Sequence, residues 1–194
     1  MSYFIALVLG VLLTLTLGLS LGVNFLHVTE GAIFRYVFYA LILLVIVDAI
    51  GAIIPRVLPK KWFSPFNKFY KVFAWERKFY TMLGIKKWKS NIPETGGQLA
   101  GFAKSNLLDA SDNEYIFRFM EETVKGEVGH FIGFIFSFVI VFINPKIFIV
   151  AGIPLMLLNM VLNILPVMIQ RYNRPKLMAL YKRNERRQKN NLTN

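Results

Sequence analysis

Four long apolar blocks constrain this chain more than any other feature of its sequence. A helix that crosses a bilayer needs about 20 mostly apolar residues, and a soluble domain of 194 residues could not bury four such blocks in one core. The sequence therefore predicts an all-α integral membrane protein with four transmembrane helices. The blocks are residues 3–26, 32–54, 128–143 and 148–169.

The stretches between these blocks predict how the chain is organised. No basic residue precedes the first block and no small-residue cleavage site follows it, which indicates a retained helix rather than a signal peptide. We expect an N-terminal transmembrane hairpin, a cytoplasmic segment rich in basic and aromatic residues, a long helix with a C-terminal transmembrane hairpin, and a basic cytoplasmic tail. These parts are residues 1–55, 56–111, 112–175 and 176–194, respectively.

The basic residues predict the orientation of the chain. Of 23 lysines and arginines, 13 lie from Arg56 to Lys125 and 8 from Arg171 to Lys189. By the positive-inside rule, both termini and the segment between the second and third helices face the cytoplasm. The net charge of +12 indicates contact with anionic lipid headgroups, and no nucleic-acid partner is expected. The chain has no cysteine, which excludes disulfides, thiolate nucleophiles and thiolate metal sites.

The cytoplasmic segment predicts an interfacial amphipathic helix between the second and third transmembrane helices. Aromatic residues alternate with lysines from residue 57 to residue 90, as in helices that bury their rings among lipid headgroups. A loop is expected at Pro93–Gly97. Ser111–Glu114 has the pattern of a capping box, which begins a helix that we expect to continue into the membrane. The buried face of the interfacial helix is predicted to be Phe66, Phe69, Tyr70 and Phe73.

Ionisable residues at the start of the third apolar block need a chemical explanation, because groups at the membrane boundary lose hydration. Glu122, Glu127 and His130 fall within an arc of roughly 140° on one helix. A polar stripe also follows the fourth helix within an arc of roughly 100°. This stripe consists of Asn159, Asn163, Gln170, Asn173 and Arg174.

The two polar faces are predicted to meet near the cytoplasmic surface. The third and fourth helices form an antiparallel hairpin around Asn144–Lys146. Equal distances from this turn place His130 beside Asn163 and Glu122 beside Gln170. The arginines near the end of the fourth helix are then expected to form ion pairs with Glu122.

Structural alternatives to a site remain open for most of these residues. The asparagines could serve as interhelical hydrogen-bond partners, and the charged residues could form an ion-pair network. Gly129 and Gly133 have the spacing of a close-packing motif. Asp48 in the second helix could join the site. A zinc site is not expected, because Glu127 and His130 have neither a third nitrogen ligand nor a cysteine.

Three segments, in this order and with this spacing, resemble the bacterial glycosyl-4,4'-diaponeurosporenoate acyltransferases, small membrane enzymes that complete a glycosylated carotenoid. The resemblance covers about residues 55–180, and its most specific element is Gln170–Pro175. It implies a multi-pass protein of the bacterial cell membrane. The segments are Trp75–Tyr80 followed by Ile85–Pro93, then Glu122–His130, and finally Gln170–Pro175.

The resemblance implies transfer of a fatty acyl group onto a sugar hydroxyl of a glycolipid. A hydroxyl is a weak nucleophile until a base takes its proton, so His130 is the predicted base, with Glu127 or Glu122 orienting its ring. Arg171 and Arg174 are expected to hold a phosphorylated donor such as acyl-CoA or an acyl-carrier protein, with no bound cofactor. The other predicted substrate-binding residues are Trp75, Glu76, Asn163, Gln170 and Asn173, and the two asparagines are candidates for stabilising an oxyanion.

Two other functions fit the same residues. A non-catalytic lipid-binding or lipid-flipping membrane protein could use the polar hairpin as a headgroup site. Another small membrane transferase, such as a methyltransferase, is also open, although no glycine-rich nucleotide loop supports it. The oligomeric state is left open.

Overall fold

The computed structural model describes residues 2–92 and 110–193, and every regular element within them is helical. The α-helices are α1 (Ser2–Leu26), α2 (Glu30–Val57), α3 (Ala74–Met82), α4 (Ile85–Trp88), α5 (Asn113–Phe136), α6 (Pro145–Ile147) and α7 (Ile153–Thr193). Single turns of 3₁₀-helix cover Lys60–Phe63, Lys68–Tyr70 and Lys89–Asn91, a longer 3₁₀ segment covers Ser137–Phe142, and a π turn covers Phe148–Gly152.

Four helical stretches are long and apolar enough to cross a membrane, which confirms the predicted class. Large apolar side chains on them are exposed, as lipid-facing residues of a membrane helix are; Phe25, Val45 and Phe142 are each more than two-thirds exposed. The four stretches are Leu7–Leu26, Glu30–Val57, Asn113–Phe142 and Pro145–Asn191.

The chain divides into two compact units. The first unit contains Met1–Ile53 and Gly129–Leu165, and the second contains Ile54–Val128 and Pro166–Asn194. The long helices α2, α5 and α7 each begin in one unit and end in the other.

The first unit has an apolar core in which α2 packs against the end of the third span and the start of the fourth. Ile33, Tyr36 and Leu155 are buried in this core. Tyr36 Oη donates a hydrogen bond to Ile140 O at 3.0 Å, which satisfies the only polar atom of that buried side chain. Glycine permits the closest helix approach, because a Cβ at Gly51 would lie 2.6 Å from the carbonyl oxygen of Gly129.

After the end of α2, the second unit has irregular backbone where an interfacial amphipathic helix is predicted. That prediction is wrong for residues 66–73, where a single 3₁₀ turn is flanked by extended residues and α3 begins only at Ala74. Pro59 and Pro65 disfavour the α conformation at Leu58 and Ser64, which separates this stretch from the helix before it. Within the stretch, the carbonyl oxygens of Tyr70 and Lys71 accept hydrogen bonds from arginines of α7 instead of from their own helix. Tyr70 is buried, whereas Phe66, Phe69 and Phe73 are exposed.

Helix α5 starts with a cap one residue later than predicted. Asp112 Oδ1 accepts hydrogen bonds from the backbone N–H groups of Glu114, at 2.8 Å, and Tyr115, at 3.2 Å. The capping residue is therefore Asp112 rather than Ser111. The helix then continues to Phe136 without a break, as predicted. The loop predicted at residues 93–97 lies outside the described residues.

Candidate functional site

A chain of hydrogen bonds joins three long helices inside the first unit. It runs from Asp48 on α2 through Asn163 on α7 to His130 on α5. Asn163 Nδ2 donates to Asp48 Oδ1 at 3.1 Å, and His130 Nδ1 lies 3.0 Å from Asn163 Oδ1. Asn163 is buried, while Asp48 and His130 are half-buried. The predicted meeting of His130 with Asn163 is observed.

Asn163 determines which nitrogen of His130 carries the proton. Its Nδ2 donates to Asp48 Oδ1 and to Asn159 O, each at 3.1 Å, so its Oδ1 is the atom that accepts. In a neutral ring His130 Nδ1 is therefore the protonated nitrogen and Nε2 holds the basic lone pair. Asn163 is therefore a hydrogen-bond partner that orients the ring, a role predicted for Glu127 or Glu122, while Glu127 is paired with Arg171 and Arg174.

Small residues make room for this chain of hydrogen bonds. A Cβ at Gly133 would fall on Asp48 Oδ1 and would lie 2.7 Å from Asn163 Oδ1. Ser137, one turn further along the span, donates to Gly133 O at 2.7 Å and accepts from Asn159 Nδ2 at 3.1 Å. Asn159 therefore acts as an interhelical hydrogen-bond partner, which is the structural alternative left open for it.

A buried cluster of two glutamates and two arginines lies in the second unit. Glu127 of α5 forms ion pairs with Arg171 and Arg174 of α7, one through each carboxylate oxygen. Arg171 also pairs with Glu76 of α3, with Nε 2.6 Å from Oε2 and Nη2 2.8 Å from Oε1. The four formal charges cancel, which removes the largest penalty for burying them.

The same arginines hold the backbone that precedes α3. Arg174 Nη1 donates to Tyr70 O and Arg171 Nη2 donates to Lys71 O, each at 3.1 Å. Arg174 Nε donates to Thr123 Oγ1 at 3.2 Å. The Arg174 side chain is 3% exposed and each of its three nitrogens has a partner, so these contacts fix its position. Its predicted role in holding a donor phosphate stays a prediction.

Glu76 is ionised and Tyr80 is protonated in this cluster. Burial alone would raise the pKa of the Glu76 carboxyl, but hydrogen bonds from Arg171 and from the Phe73 N–H hold that pKa below its ordinary value. Tyr80 Oη donates to Glu76 Oε2 at 3.0 Å. Burial and then the Glu76 charge raise the pKa of Tyr80 to about 12.

Glu122 does not form an ion pair with Arg171 or Arg174, so that prediction is wrong. Its carboxylate accepts a hydrogen bond from Lys125 Nζ at 2.8 Å, one turn further along α5. Glu122 lies about 140° around the helix from Glu127, and it is Glu127 that faces the two arginines.

A family model described as glycosyl-4,4'-diaponeurosporenoate acyltransferase matches residues 59–183, which is more than half of the chain. The chain belongs to this family. No curated protein and no solved structure matches it. The acyltransferase family match contains both the ion-pair cluster and His130, but it begins after Asp48.

Three further residues predicted for the acyltransferase site have different surroundings. Gln170 packs its amide against the backbone of Gly126, and its Oε1 is buried without a hydrogen-bond partner among the described residues. Trp75 is 65% exposed, beside Glu76 in the sequence but outside its ion pairs. Asn173 is half-buried. Their predicted roles in binding substrate stay predictions.

Two residues of the two clusters, Thr123 and Tyr80, are absent from the predicted site, and a third, Asp48, is predicted only as a residue that could join it. Asp48 carries a sequence signal, because it is the only acidic residue in the second apolar block. Thr123 carries none, since its partner Arg174 lies 51 residues later in the chain. Tyr80 lies one helical turn after its partner Glu76, a spacing that the sequence does contain. In the described ranges, 2–92 and 110–193, no group of three or more metal-ligating side chains is close enough to hold a metal ion.

Proposed function

We propose that this protein is a membrane acyltransferase, which moves a fatty acyl group from a thioester donor onto a sugar hydroxyl of a glycolipid such as a glycosylated carotenoid. Membership of the acyltransferase family supports the reaction class. The hydrogen-bonded chain from Asp48 through Asn163 to His130 is the observation that supports His130 as the residue at the centre of this chemistry. The donor is acyl-CoA or an acyl-carrier protein.

His130 Nε2 is the proposed general base. It takes the proton of the sugar hydroxyl as the hydroxyl oxygen attacks the thioester carbonyl carbon, which forms the new C–O bond. The C–S bond then breaks, and the imidazolium returns the proton to the departing thiolate. The products are a sugar ester and a thiol, so no cofactor or redox partner is needed.

Asn163 and Asp48 are proposed to support the charged ring. As Nε2 takes up the proton, Nδ1–H donates more strongly to Asn163 Oδ1, and Asp48 accepts from the other end of the same amide. This relay stabilises the imidazolium as a carboxylate does in acyl-transfer triads. Both N–H groups of Asn163 are already used, so Asn163 cannot also donate to the oxyanion.

The direct test is turnover by purified protein in detergent, with a labelled acyl-CoA and a glycosylated carotenoid. We expect His130→Ala to lower turnover by about 10²- to 10⁴-fold, the range for removing a positioned base. Asp48→Asn should shift the acidic limb of the pH–rate profile, because it removes negative charge behind the relay. The matched control is His27→Asn, since asparagine tolerates the positive φ of 51° at that position.

Full turnover by His130→Ala would remove the histidine mechanism. Mass spectrometry of lipid extracts from cells with and without the gene tests the reaction class independently. A fatty acyl mass difference on a glycolipid supports acyl transfer. Unchanged masses with an altered distribution between leaflets would instead favour a lipid-binding or lipid-flipping protein.

A further inference from the structure

A cavity of about 290 Å³ is lined by residues of the second unit, and none of the residues that line it belongs to the hydrogen-bonded chain that contains His130. One wall is the irregular segment before α3, and the other is a stretch of α7 that begins at Arg174. Its volume is near the lower limit for ligand pockets, which run from about 300 to 1,000 Å³. This is enough space for a headgroup or for one end of a longer ligand.

The charge of this cavity has one sign. Lys68, Lys71 and Lys182 line it, and no carboxylate among the described residues does. The three lysines are exposed, and none has an ion pair with a carboxylate in the described part of the chain. Arg174 also borders the cavity, but Glu127 neutralises it. A concave surface with a single sign of charge concentrates ions of the opposite sign.

The cavity also has an apolar surface and a fixed shape. Phe66 and Met178 contribute carbon atoms to its lining. The ring centroid of Phe66 lies 5.6 Å from that of Tyr181 on α7, in an edge-to-face arrangement. The arginines fix the rest of this wall through the carbonyl oxygens of Tyr70 and Lys71. The ion-pair cluster therefore holds the segment that carries the lysines.

We propose that this cavity binds a phosphate group that is attached to an apolar or aromatic body. Lysine ammonium groups bind phosphate as point charges, while Phe66 and Met178 contact the adjoining carbon atoms. Two ligands share this chemistry: a coenzyme A thioester, which is the donor in the proposed reaction, and an anionic phospholipid of the surrounding bilayer. The proposal concerns binding alone and stands whether or not His130 is a base.

The test compares two triple variants that lose the same charge. Lys68→Gln/Lys71→Gln/Lys182→Gln removes the three lysines of the cavity. Lys60→Gln/Lys61→Gln/Lys78→Gln removes three exposed lysines of the same unit that do not line it. Coenzyme A binding is measured by calorimetry in uncharged detergent. Retention of phosphatidylglycerol is measured by native mass spectrometry of protein taken from mixed nanodiscs.

The cavity variant is expected to weaken the binding of one of these two ligands by about tenfold or more, since charge-assisted contacts to phosphate are stronger than neutral hydrogen bonds. The control triple should change it by less than about twofold. The ligand that responds identifies the source of the phosphate. Equal losses in the two triples, or no loss of either ligand in the cavity variant, would overturn the proposal, because the charges would then act only through the general surface field.

A second variant tests the cavity itself without altering charge. Met178→Trp places a larger side chain in the lining and should weaken the same ligand by about tenfold, while thermal unfolding stays near that of the natural chain. Unchanged binding by a folded Met178→Trp protein would place the anion on the open surface and contradict the proposal.

Discussion

Glu127 is the residue on which the second unit depends most. Each of its oxygens accepts from a different arginine, and those arginines also hold Glu76, Thr123 and two backbone carbonyl groups. Removal of one partner from a buried charge cluster leaves the other charges uncompensated in a medium of low dielectric. The main consequence of changing Glu127 should therefore be lost stability rather than lost chemistry.

We expect Glu127→Gln to lower the free energy of unfolding by about 3–5 kcal/mol, the usual effect of breaking a buried ion pair. The matched control is Glu122→Gln, on the same helix. It should lower the free energy of unfolding by less than about 1 kcal/mol, because Lys125 keeps a second carboxylate, Glu121, at 3.3 Å. Both values come from denaturant unfolding in detergent. Similar losses in the two variants would contradict this role of Glu127.

Glu76 is expected to make the stability of the folded protein depend on pH in the acidic range. The pKa of this carboxyl lies below its ordinary value when the chain is folded. Its ionised form therefore stabilises the protein at pH values above the ordinary carboxyl pKa, and that stabilisation disappears as the pH falls through the lowered value. Below about pH 5, the natural chain should lose stability more steeply than Glu76→Gln. Parallel melting-temperature profiles for the two proteins would refute this.

The sequence correctly predicted the partner of a residue where the helix face on which it lies is enough to identify that partner. His130 and Asn163 both lie on polar faces of adjacent helices, and they meet. Glu122 and Glu127 lie on the same broad arc, so the sequence could not choose which of them meets the arginines. The carbonyl groups of Tyr70 and Lys71 have no sequence signal, because every residue has a carbonyl and only the fold selects these two.

Between the helices, two glycines of α5 allow other atoms to approach the helix backbone closely. Gly129 contacts the backbone of Gly51, as a close-packing motif implies, whereas Gly133 contacts the side chains of Asp48 and Asn163. The two glycines of one motif therefore serve different purposes. Gly129 brings two helices together, and Gly133 leaves space for the relay.

We expect Gly133→Ala to displace Asn163 and to lower turnover by about 10²-fold, the effect of a misplacement of about 1 Å. Helicity should be retained, since alanine favours helix more than glycine does. Gly31→Ala is the control, because its Cβ would meet only Arg35 Nη1, at 3.6 Å. Turnover and circular dichroism of both variants check this. Normal turnover by Gly133→Ala would show that the relay does not need its present geometry.

The register of the hairpin was predictable only in part. Counting equal distances from the turn assumes a rise of about 1.5 Å per residue in both arms. Ser137–Phe142 is instead 3₁₀-helix, which rises about 2.0 Å per residue, and Phe148–Gly152 is a π turn. Both departures pair a residue of the third span with a later residue of the fourth span than equal counting predicts. Gln170 accordingly packs on Gly126 rather than beside Glu122.

For the whole molecule, the distribution of basic residues leads us to propose that both termini and the basic segment before α5 face the cytoplasm. The chain has no cysteine, so one introduced thiol is unique. A cysteine at Ser90 should resist an impermeant reagent added to intact cells, and a cysteine at Lys146, in the exposed turn between the last two spans, should react. The reverse pattern would contradict this topology.

The four spans were predictable because their signal is long and local. Residues 32–54 and 148–169 each fall within the helices found there, and nothing distant is needed to identify them. The course of the segment before α3 was not predictable from the sequence. Its composition suits an interfacial helix, whereas the structure has only single 3₁₀ turns after Pro59 and Pro65. Its actual course depends on Arg171 and Arg174, more than 95 residues later in the chain.

The π turn at Phe148–Gly152 predicts where this chain can lose one residue without losing function. A single π turn holds one residue more than the α-helical turn that it replaces, so the loss of one residue there would regularise the helix and leave the phase of Asn159 and Asn163 intact. We expect deletion of the exposed Ile149 to preserve turnover. Deletion of the exposed Leu157 should abolish it, because every later side chain then rotates by about 100°. Turnover of these two shortened chains would show whether length can vary at the π turn but not beyond it.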